Sequence, residues 1–133
     1  MSKHIIELRV RYAETDQMGV VYYSNYLVWF EAARTEFFRE RGIVYREIEE
    51  NEKIYLPVTE AYCRYRAPLR YDDKVEITTE LTDVGPTRIT FEYEVKSEGK
   101  LTATGKTKHA FVNSEGTPIR IPDHIKKAIA ISS

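Results

Sequence analysis

One long helical pattern, at residues 25–41, lies between a first strand-like segment and a run of later strands. Phenylalanines recur in it at helical spacing, and a tryptophan and two alanines widen the apolar stripe. The stripe consists of Leu27, Trp29, Phe30, Ala32, Ala33, Phe37 and Phe38. Its width predicts a helix that is buried over much of its circumference. The rest of the chain therefore has to supply a surface that encloses this helix.

Five segments have the composition or the alternation of β-strands. They are residues 4–12, 55–66, 73–82, 88–96 and 101–112. In the first segment the alternation places Tyr12 on the inward side, and in the last Gly105 is a candidate for a bulge or a close approach. Shorter helices are predicted at residues 45–51 and 122–131. Four strands joined by short turns favour an antiparallel sheet, and one long helix against such a sheet is an α+β arrangement. Because a single sheet has a second face, and the strands mix aromatic and charged residues, we expect a dimer or larger assembly.

Length and charge limit the class of protein. The 133 residues amount to one domain, residues 1–133, with enough chain for a substantial core. A formal net charge of −1 argues against a broad nucleic-acid-binding surface. No apolar run reaches the roughly 18 residues that cross a bilayer, and residues 1–4 lack the apolar core of a signal peptide. We therefore expect a cytoplasmic protein with no membrane span and no nucleic-acid partner.

The sequence lacks the motifs of a disulfide, of a metal site and of a serine nucleophile. Its one cysteine, Cys63, excludes an intrachain disulfide and a cysteine-based zinc site, and we interpret it as a small core residue. His4, His109 and His124 lack the close spacing of a helical metal motif and are interpreted as structural or solvent-facing. No Gly-x-Ser-x-Gly segment is present. The sequence predicts neither a metal nor another cofactor.

Residues 15–26 combine an acid, a glycine and a helix start in one short connection. An isolated aspartate such as Asp16 is typical of a turn, but the apolar residues after it predict that it is partly shielded from water. Tyr23 and Ser24 stand where the long helix begins, and Ser24 has the residue type of an N-cap. Backbone N–H groups at a helix start can stabilise an oxyanion. The segment therefore predicts hydrolysis of an ester-like bond without a serine or cysteine nucleophile.

Two stretches resemble the 4-hydroxybenzoyl-CoA thioesterase family. Residues 11–22, Arg-Tyr-Ala-Glu-Thr-Asp-Gln-Met-Gly-Val-Val-Tyr, are similar to the active-site signature of that family. Residues 66–73 are similar to its approach to the third strand. The resemblance extends over nearly the whole chain and looks closest to the bacterial acyl-CoA thioesterase branch associated with the Tol–Pal system.

This resemblance implies a hotdog fold, in which a curled five-stranded antiparallel sheet wraps the long central helix. It also implies homodimers, often paired into homotetramers, with active sites at the subunit interface. The catalytic aspartate of the family falls on Asp16, and its oxyanion-stabilising N–H falls on Tyr23, where the related branch often has histidine. Glu31 matches a position that faces the acyl pocket in some members; its alternative is an exposed carboxylate paired with Arg34.

We therefore predict an acyl-CoA thioester hydrolase. Asp16 would either attack the carbonyl or deprotonate a water, while the Tyr23 N–H polarises the carbonyl. Tyr22, Tyr26 and Trp29 are candidates to line the substrate pocket. Candidate partners for the coenzyme A phosphates are Arg64, Arg66, Arg70, Arg88 and Lys106, and the alternative for each is an ordinary solvated surface charge.

Two other functions stay open at the level of sequence. A hotdog fold can also host hydration or dehydration of acyl thioesters, but that chemistry normally needs a positioned histidine, and residues 15–26 contain none. The other alternative is a non-catalytic module that binds an acyl carrier protein or an envelope complex.

Overall fold

The computed structural model describes residues 2–130. In chain order the elements are β1 (Lys3–Arg9), a 3₁₀ turn (Tyr12–Glu14), α1 (Asn25–Glu40), α2 (Tyr45–Glu52), β2 (Val58–Tyr65), β3 (Lys74–Val84), β4 (Arg88–Ser97), β5 (Lys100–Ala110) and α3 (Asp123–Ala130). The predicted order of elements and the α+β class are confirmed. Ile131, the last residue of the predicted terminal helix, lies outside the described residues.

All strand pairs in the single five-stranded sheet are antiparallel, and the strand order is β1-β3-β4-β5-β2. The expectation that β2 to β5 follow one another through short turns is wrong for the first connection. Instead, β2 pairs with β5 at one edge, and the chain then returns to the β1 side to form β3. On this return the connection passes the segment before α1, where Val20 pairs with Arg70 and the Val21 N–H donates to Leu69 O (2.8 Å).

Helix α1 packs tightly on the inner face of the sheet. The fully buried Phe30 ring stacks on Tyr93 with centroids 4.2 Å apart, and Phe37 contacts Phe91 edge-on at 5.2 Å. A Cβ added at Gly105 would overlap the Phe30 ring. The sequence left two roles open for this glycine, a bulge or a close approach, and the structure shows the close approach.

Two predicted burial patterns are wrong. Tyr12 was expected to face inward from β1, but the strand ends at Arg9, and Tyr12 lies in the 3₁₀ turn with 78% of its surface exposed. Leu27 and Ala32 were assigned to the buried stripe of α1, but both are exposed. Together with the exposed Val28, Leu27 gives the outer side of the first helical turns an apolar character.

The outer face of the central strands is polar. Glutamates, threonines and lysines point outward from β3, β4 and β5, including Thr78, Glu92, Glu94, Thr104 and Lys106. This face needs no cover from a partner. By contrast, all of β2 except Cys63 is exposed, including Val58, Tyr62 and Tyr65. The surface that suggests a partner is therefore this sheet edge, not the second face.

Candidate active site

The Asp16 loop (residues 15–21) is a tight turn that leads from the 3₁₀ turn towards α1. Thr15 pairs with Val21 across the loop, and the Asp16 N–H donates to Val20 O at 2.9 Å. Gly19 lies near its tip with φ +81°, a left-handed conformation that side chains disfavour. Because these backbone contacts close the Asp16 loop, they fix the position of the Asp16 backbone and the direction of its side chain.

The two oxygens of Asp16 have different surroundings. Oδ1 accepts from the Met18 N–H at 2.9 Å and from the Val20 N–H at 3.4 Å. Oδ2 has no hydrogen-bond partner among residues 2–130, and the side chain is half-buried. The turn role and the chemical role that the sequence suggested are thus compatible, since one oxygen orients the carboxylate and leaves the other available.

The start of α1 leaves backbone N–H groups unpaired. Ser24 is the N-cap residue of α1, as predicted, but its side chain makes no capping hydrogen bond; its carbonyl accepts from the Leu27 N–H at 3.2 Å. The Tyr23 carbonyl accepts from the Tyr26 N–H at 3.3 Å and from the Tyr65 hydroxyl at 3.0 Å. Within the described part of the chain, the N–H groups of Tyr23 and Ser24 have no acceptor. They are available to a carbonyl oxygen at this helix start.

A cleft of about 400 Å³ brings the acid and the helix start together. It is lined by Asp16, Val20, Val21, Tyr22, Tyr23, Tyr26, Tyr65, Arg66, Ala67 and Pro68. Its walls come from the Asp16 loop, the first turn of α1, the end of β2 and the connection that follows. Four of the predicted site residues, Asp16, Tyr22, Tyr23 and Tyr26, therefore share one cavity.

A family model described as the thioesterase-like superfamily matches residues 10–129 of this chain. The chain belongs to this superfamily. The predicted family, the hotdog fold and the enzyme class of thioesterase are thereby confirmed.

Proteins similar to this thioesterase are known from several bacteria. The crystal structure of the hypothetical protein TT1821 from Thermus thermophilus is 39% identical with a TM-score of 0.91, and the match covers 95% of this chain and 96% of that one. The structure of DHNA-CoA thioesterase from Staphylococcus aureus is 36% identical with a TM-score of 0.87, covering 90% and 81%. The acyl-CoA thioesterase YbgC of Haemophilus influenzae is 30% identical over 91% of this chain and 90% of its own.

Three tyrosines of the thioesterase cleft, Tyr22, Tyr26 and Tyr65, have a raised pKa. Burial, with a smaller effect of Cys63, raises the pKa of Tyr26 to about 12. Burial also raises the pKa of Tyr65, and the adjacent Tyr23 hydroxyl raises that of Tyr22. Neutral phenols can donate hydrogen bonds and form apolar walls, and Asp16 is the carboxylate among the residues that line the cleft.

Two predicted residues of the thioesterase pocket do not line this cleft. Glu31 is exposed on α1, and within residues 2–130 it forms no ion pair with Arg34. Its substrate contact stays a prediction. Trp29 is buried, and its Nε1–H donates to Glu14 Oε2 at 2.8 Å. It therefore contacts residues next to the cleft and does not line the cleft itself.

The structure adds three residues to the site that sequence reasoning missed or could not select. Tyr65 and Arg66 reach the cleft from the end of β2, which is remote in sequence from the Asp16 loop. The buried Glu14 contacts the helix through Trp29. Glu14 lies inside the signature at residues 11–22, but nothing local marks it as buried.

The five basic candidates separate by position. Arg66 lines the cleft, and Arg70 lies against the Asp16 loop, with one guanidinium nitrogen 3.9 Å from where a Gly19 Cβ would be. Lys106 lines a hollow on the outer face of the sheet, and Arg88 pairs with Ala110 at the far end of β5. Arg64 is exposed on β2 opposite Thr104.

The cysteine and the histidines lie outside this cleft. Cys63 is half-buried and packs on the core, where burial raises its pKa. His109 is buried with Nε2 2.8 Å from Thr107 Oγ1, and burial, with the nearby Arg34 charge, lowers its pKa to about 4. Exposed His124 contacts Glu52 at 2.9 Å.

Neither a metal cluster nor a membrane-spanning helix occurs in the described part of the chain. Across residues 2–130, no group of three His, Cys, Asp or Glu side chains is arranged to hold a metal ion. None of the helices in the same range has the length and apolar character needed to cross a membrane.

Proposed function

We propose that this thioesterase hydrolyses acyl-CoA thioesters, with Asp16 as nucleophile or general base and the Tyr23 N–H as the donor to the carbonyl oxygen. One observation carries the proposal. A carboxylate with one uncommitted oxygen and a helix-start N–H without an acceptor line the same cleft. No serine or cysteine nucleophile stands among the lining residues.

The chemistry follows from these two groups. The thioester carbonyl oxygen would accept from the Tyr23 N–H, which stabilises negative charge as it develops on that oxygen. In one route Asp16 Oδ2 attacks the carbonyl carbon, the C–S bond breaks, and coenzyme A leaves as a thiolate that takes up a proton. Water then hydrolyses the mixed anhydride and regenerates Asp16. In the other route Asp16 accepts a proton from the water that attacks the carbonyl carbon, the C–S bond breaks, and the proton is passed on to the departing coenzyme A thiolate, which restores the Asp16 carboxylate.

The acyl group would lie between aromatic side chains. Tyr22 and Tyr26 line the cleft, and both can border an aryl ring or a short aliphatic chain. The similar protein of Haemophilus influenzae is named for acyl-CoA and that of Staphylococcus aureus for DHNA-CoA, so relatives of both kinds are known. A test of substrate preference therefore has to include aliphatic and aromatic acyl groups.

Arg66 and Arg70 are the proposed contacts of the coenzyme A phosphates. They flank the cleft and the Asp16 loop, whereas Arg88 and Lys106 lie elsewhere on the sheet. Guanidinium groups pair with phosphate oxygens through two hydrogen bonds at once. A phosphate chain that leaves the cleft past the connection between β2 and β3 would reach these two side chains first.

We also propose that the active thioesterase is a homodimer, or a homotetramer built from dimers. In the described chain β2 pairs with a strand on one side only, and an exposed strand edge is a ready surface for pairing. Val58, Tyr62 and Tyr65 on β2 expose about half of their surface. Exposed tyrosines at an unpaired edge are typical of an interface. Because Tyr65 belongs to β2 and lines the cleft, the second copy would border the active site.

Thiol release from a panel of acyl-CoA and aryl-CoA thioesters tests the function, with one acyl carrier protein thioester included. Asp16→Asn should lower kcat by at least about 100-fold, because the amide can neither attack nor accept a proton. Circular dichroism and size-exclusion profiles should be unchanged, since Oδ1 of asparagine still accepts from Met18.

Near-normal hydrolysis by Asp16→Asn would exclude this mechanism. Hydration of crotonyl-CoA without thiol release would identify a hydratase instead. Binding of the acyl carrier protein without turnover of any thioester would favour the non-catalytic module.

A further inference from the structure

We infer that Glu14 is a positioning residue, which holds the Tyr23 N–H in register with Asp16; this inference rests on the proposed function. Glu14 is the last residue of the 3₁₀ turn and only 6% of its surface is exposed. A buried carboxylate is costly unless it is paired and hydrogen-bonded. Its contacts show which segments it joins.

The carboxylate of Glu14 connects the turn to the middle of α1. Oε1 accepts from the Arg11 N–H at 2.7 Å, and Oε2 accepts from the Trp29 Nε1–H at 2.8 Å. The Arg11 Nε lies 3.7 Å from Oε2. Both oxygens thus face N–H donors, which suits a carboxylate and does not suit an amide.

The carbonyl of the same residue connects the turn to the start of α1. Glu14 O accepts from the Tyr22 N–H at 2.9 Å and from Asn25 Nδ2 at 2.8 Å. The Asn25 N–H in turn donates to Tyr22 O at 3.0 Å. In a trans peptide the C=O and N–H point in opposite directions, so fixing Tyr22 O also fixes the direction of the Tyr23 N–H.

Glu14 is therefore connected both to Asp16 and to the peptide that carries the Tyr23 N–H. Asp16 follows it by two residues along the same backbone, and the peptide that carries the Tyr23 N–H is held through Tyr22 and Asn25. Behind this peptide, Trp29 packs on Tyr26, whose ring lines the cleft, with centroids 5.0 Å apart. A displacement of Glu14 would alter the spacing between nucleophile and oxyanion donor, and small misplacements of reacting groups cost large factors in rate.

Glu14→Gln tests the role while changing almost no volume. The amide offers one acceptor to two donors, so either the Arg11 or the Trp29 hydrogen bond is lost. We expect kcat to fall about 10- to 100-fold, with KM changed by less than about threefold, because Glu14 does not line the cleft. Trp29 is the only tryptophan in the chain, so the emission maximum should change in the same variant.

Tyr93→Phe is the matched control for lost stability. It removes another buried hydrogen bond, that between Tyr93 OH and Thr107 Oγ1 at 2.6 Å, from a residue outside the cleft. Below the unfolding transition of both variants, Tyr93→Phe should keep its kcat and Glu14→Gln should not. A Glu14→Gln enzyme with a kcat within twofold of the wild type overturns the inference.

If Glu14→Gln does not fold, Trp29→Phe answers the same question. It keeps a buried aromatic ring but removes the five-membered ring of the indole, and with it the Nε1–H that donates to Oε2. The expected loss of kcat is in the same direction, and a wild-type kcat in this variant also overturns the inference. Failure of the proposed function is recognised separately, because it would leave Asp16→Asn active, whereas failure of the positioning role leaves Asp16→Asn inactive and Glu14→Gln normal.

Discussion

Gly105→Ala measures how closely α1 packs on the sheet. The added methyl would overlap the Phe30 ring and lie 3.2 Å from the Tyr62 backbone oxygen. The ring cannot retreat freely, because Phe30 is fully buried and stacks on Tyr93 at 4.2 Å. Overpacking of this kind costs about 1–3 kcal/mol. The lower entropy of the unfolded chain with alanine offsets about 0.4–1 kcal/mol. From the middle of the two ranges, the expected net loss is about 1–2 kcal/mol.

Urea unfolding at one fixed protein concentration, followed by Trp29 fluorescence, is the assay for this loss. With a slope of about 2 kcal/mol per molar urea, the midpoint should fall by roughly 0.5–1 M. Gly85→Ala is the matched control, because its Cβ would meet only Arg88 O at an ordinary 3.5 Å. It should leave the midpoint unchanged or raise it slightly.

A double variant identifies the overlap as the cause. Phe30→Leu removes the ring that the Gly105→Ala methyl meets, so the two changes together should cost less than the sum of their separate effects, by about 0.5 kcal/mol or more. Strict additivity, or a Gly105→Ala protein as stable as the wild type, would refute the reasoning from close packing.

Two further predictions concern substrate binding and pH. Arg66→Ala should raise KM for acyl-CoA about 5- to 20-fold with a smaller effect on kcat. Arg88→Ala, at the far end of the sheet, should leave KM and kcat unchanged. If the two variants change KM equally, Arg66 is excluded as a phosphate contact. The pKa of His109 is lowered from its ordinary 6.5 to about 4, so the unfolded chain binds the extra proton between these values. The free energy of unfolding should therefore fall as pH falls from about 6.5 to 4, and this histidine contributes up to about 3 kcal/mol of that fall. In the same pH range the urea midpoint of His109→Gln should depend less steeply on pH than that of the wild type.

Local patterns were sufficient for the elements of this fold. The apolar stripe of α1 and the alternation in β3 and β4 are properties of neighbouring residues, and they predicted helix, strands and α+β class. The position of β2 was not predictable in this way. Its pairing with β5 joins residues such as Cys63 and Gly105 that are far apart in the chain, and alternation does not specify which strand is the partner.

The sequence by itself was enough to predict the family of this thioesterase and to nominate Asp16 and Tyr23 as its chemical pair. Asp16 and Tyr23 lie within one short segment, so a turn and a helix start are enough to bring them near each other, and the signature at residues 11–22 is continuous. The tertiary structure alone decided what surrounds the pair. Tyr65 and Arg66 enter the cleft because β2 ends there, and Glu14 meets Trp29 because α1 packs beside the 3₁₀ turn. These contacts join segments that only the packed fold brings together, and the local sequence around each residue carries no information about them.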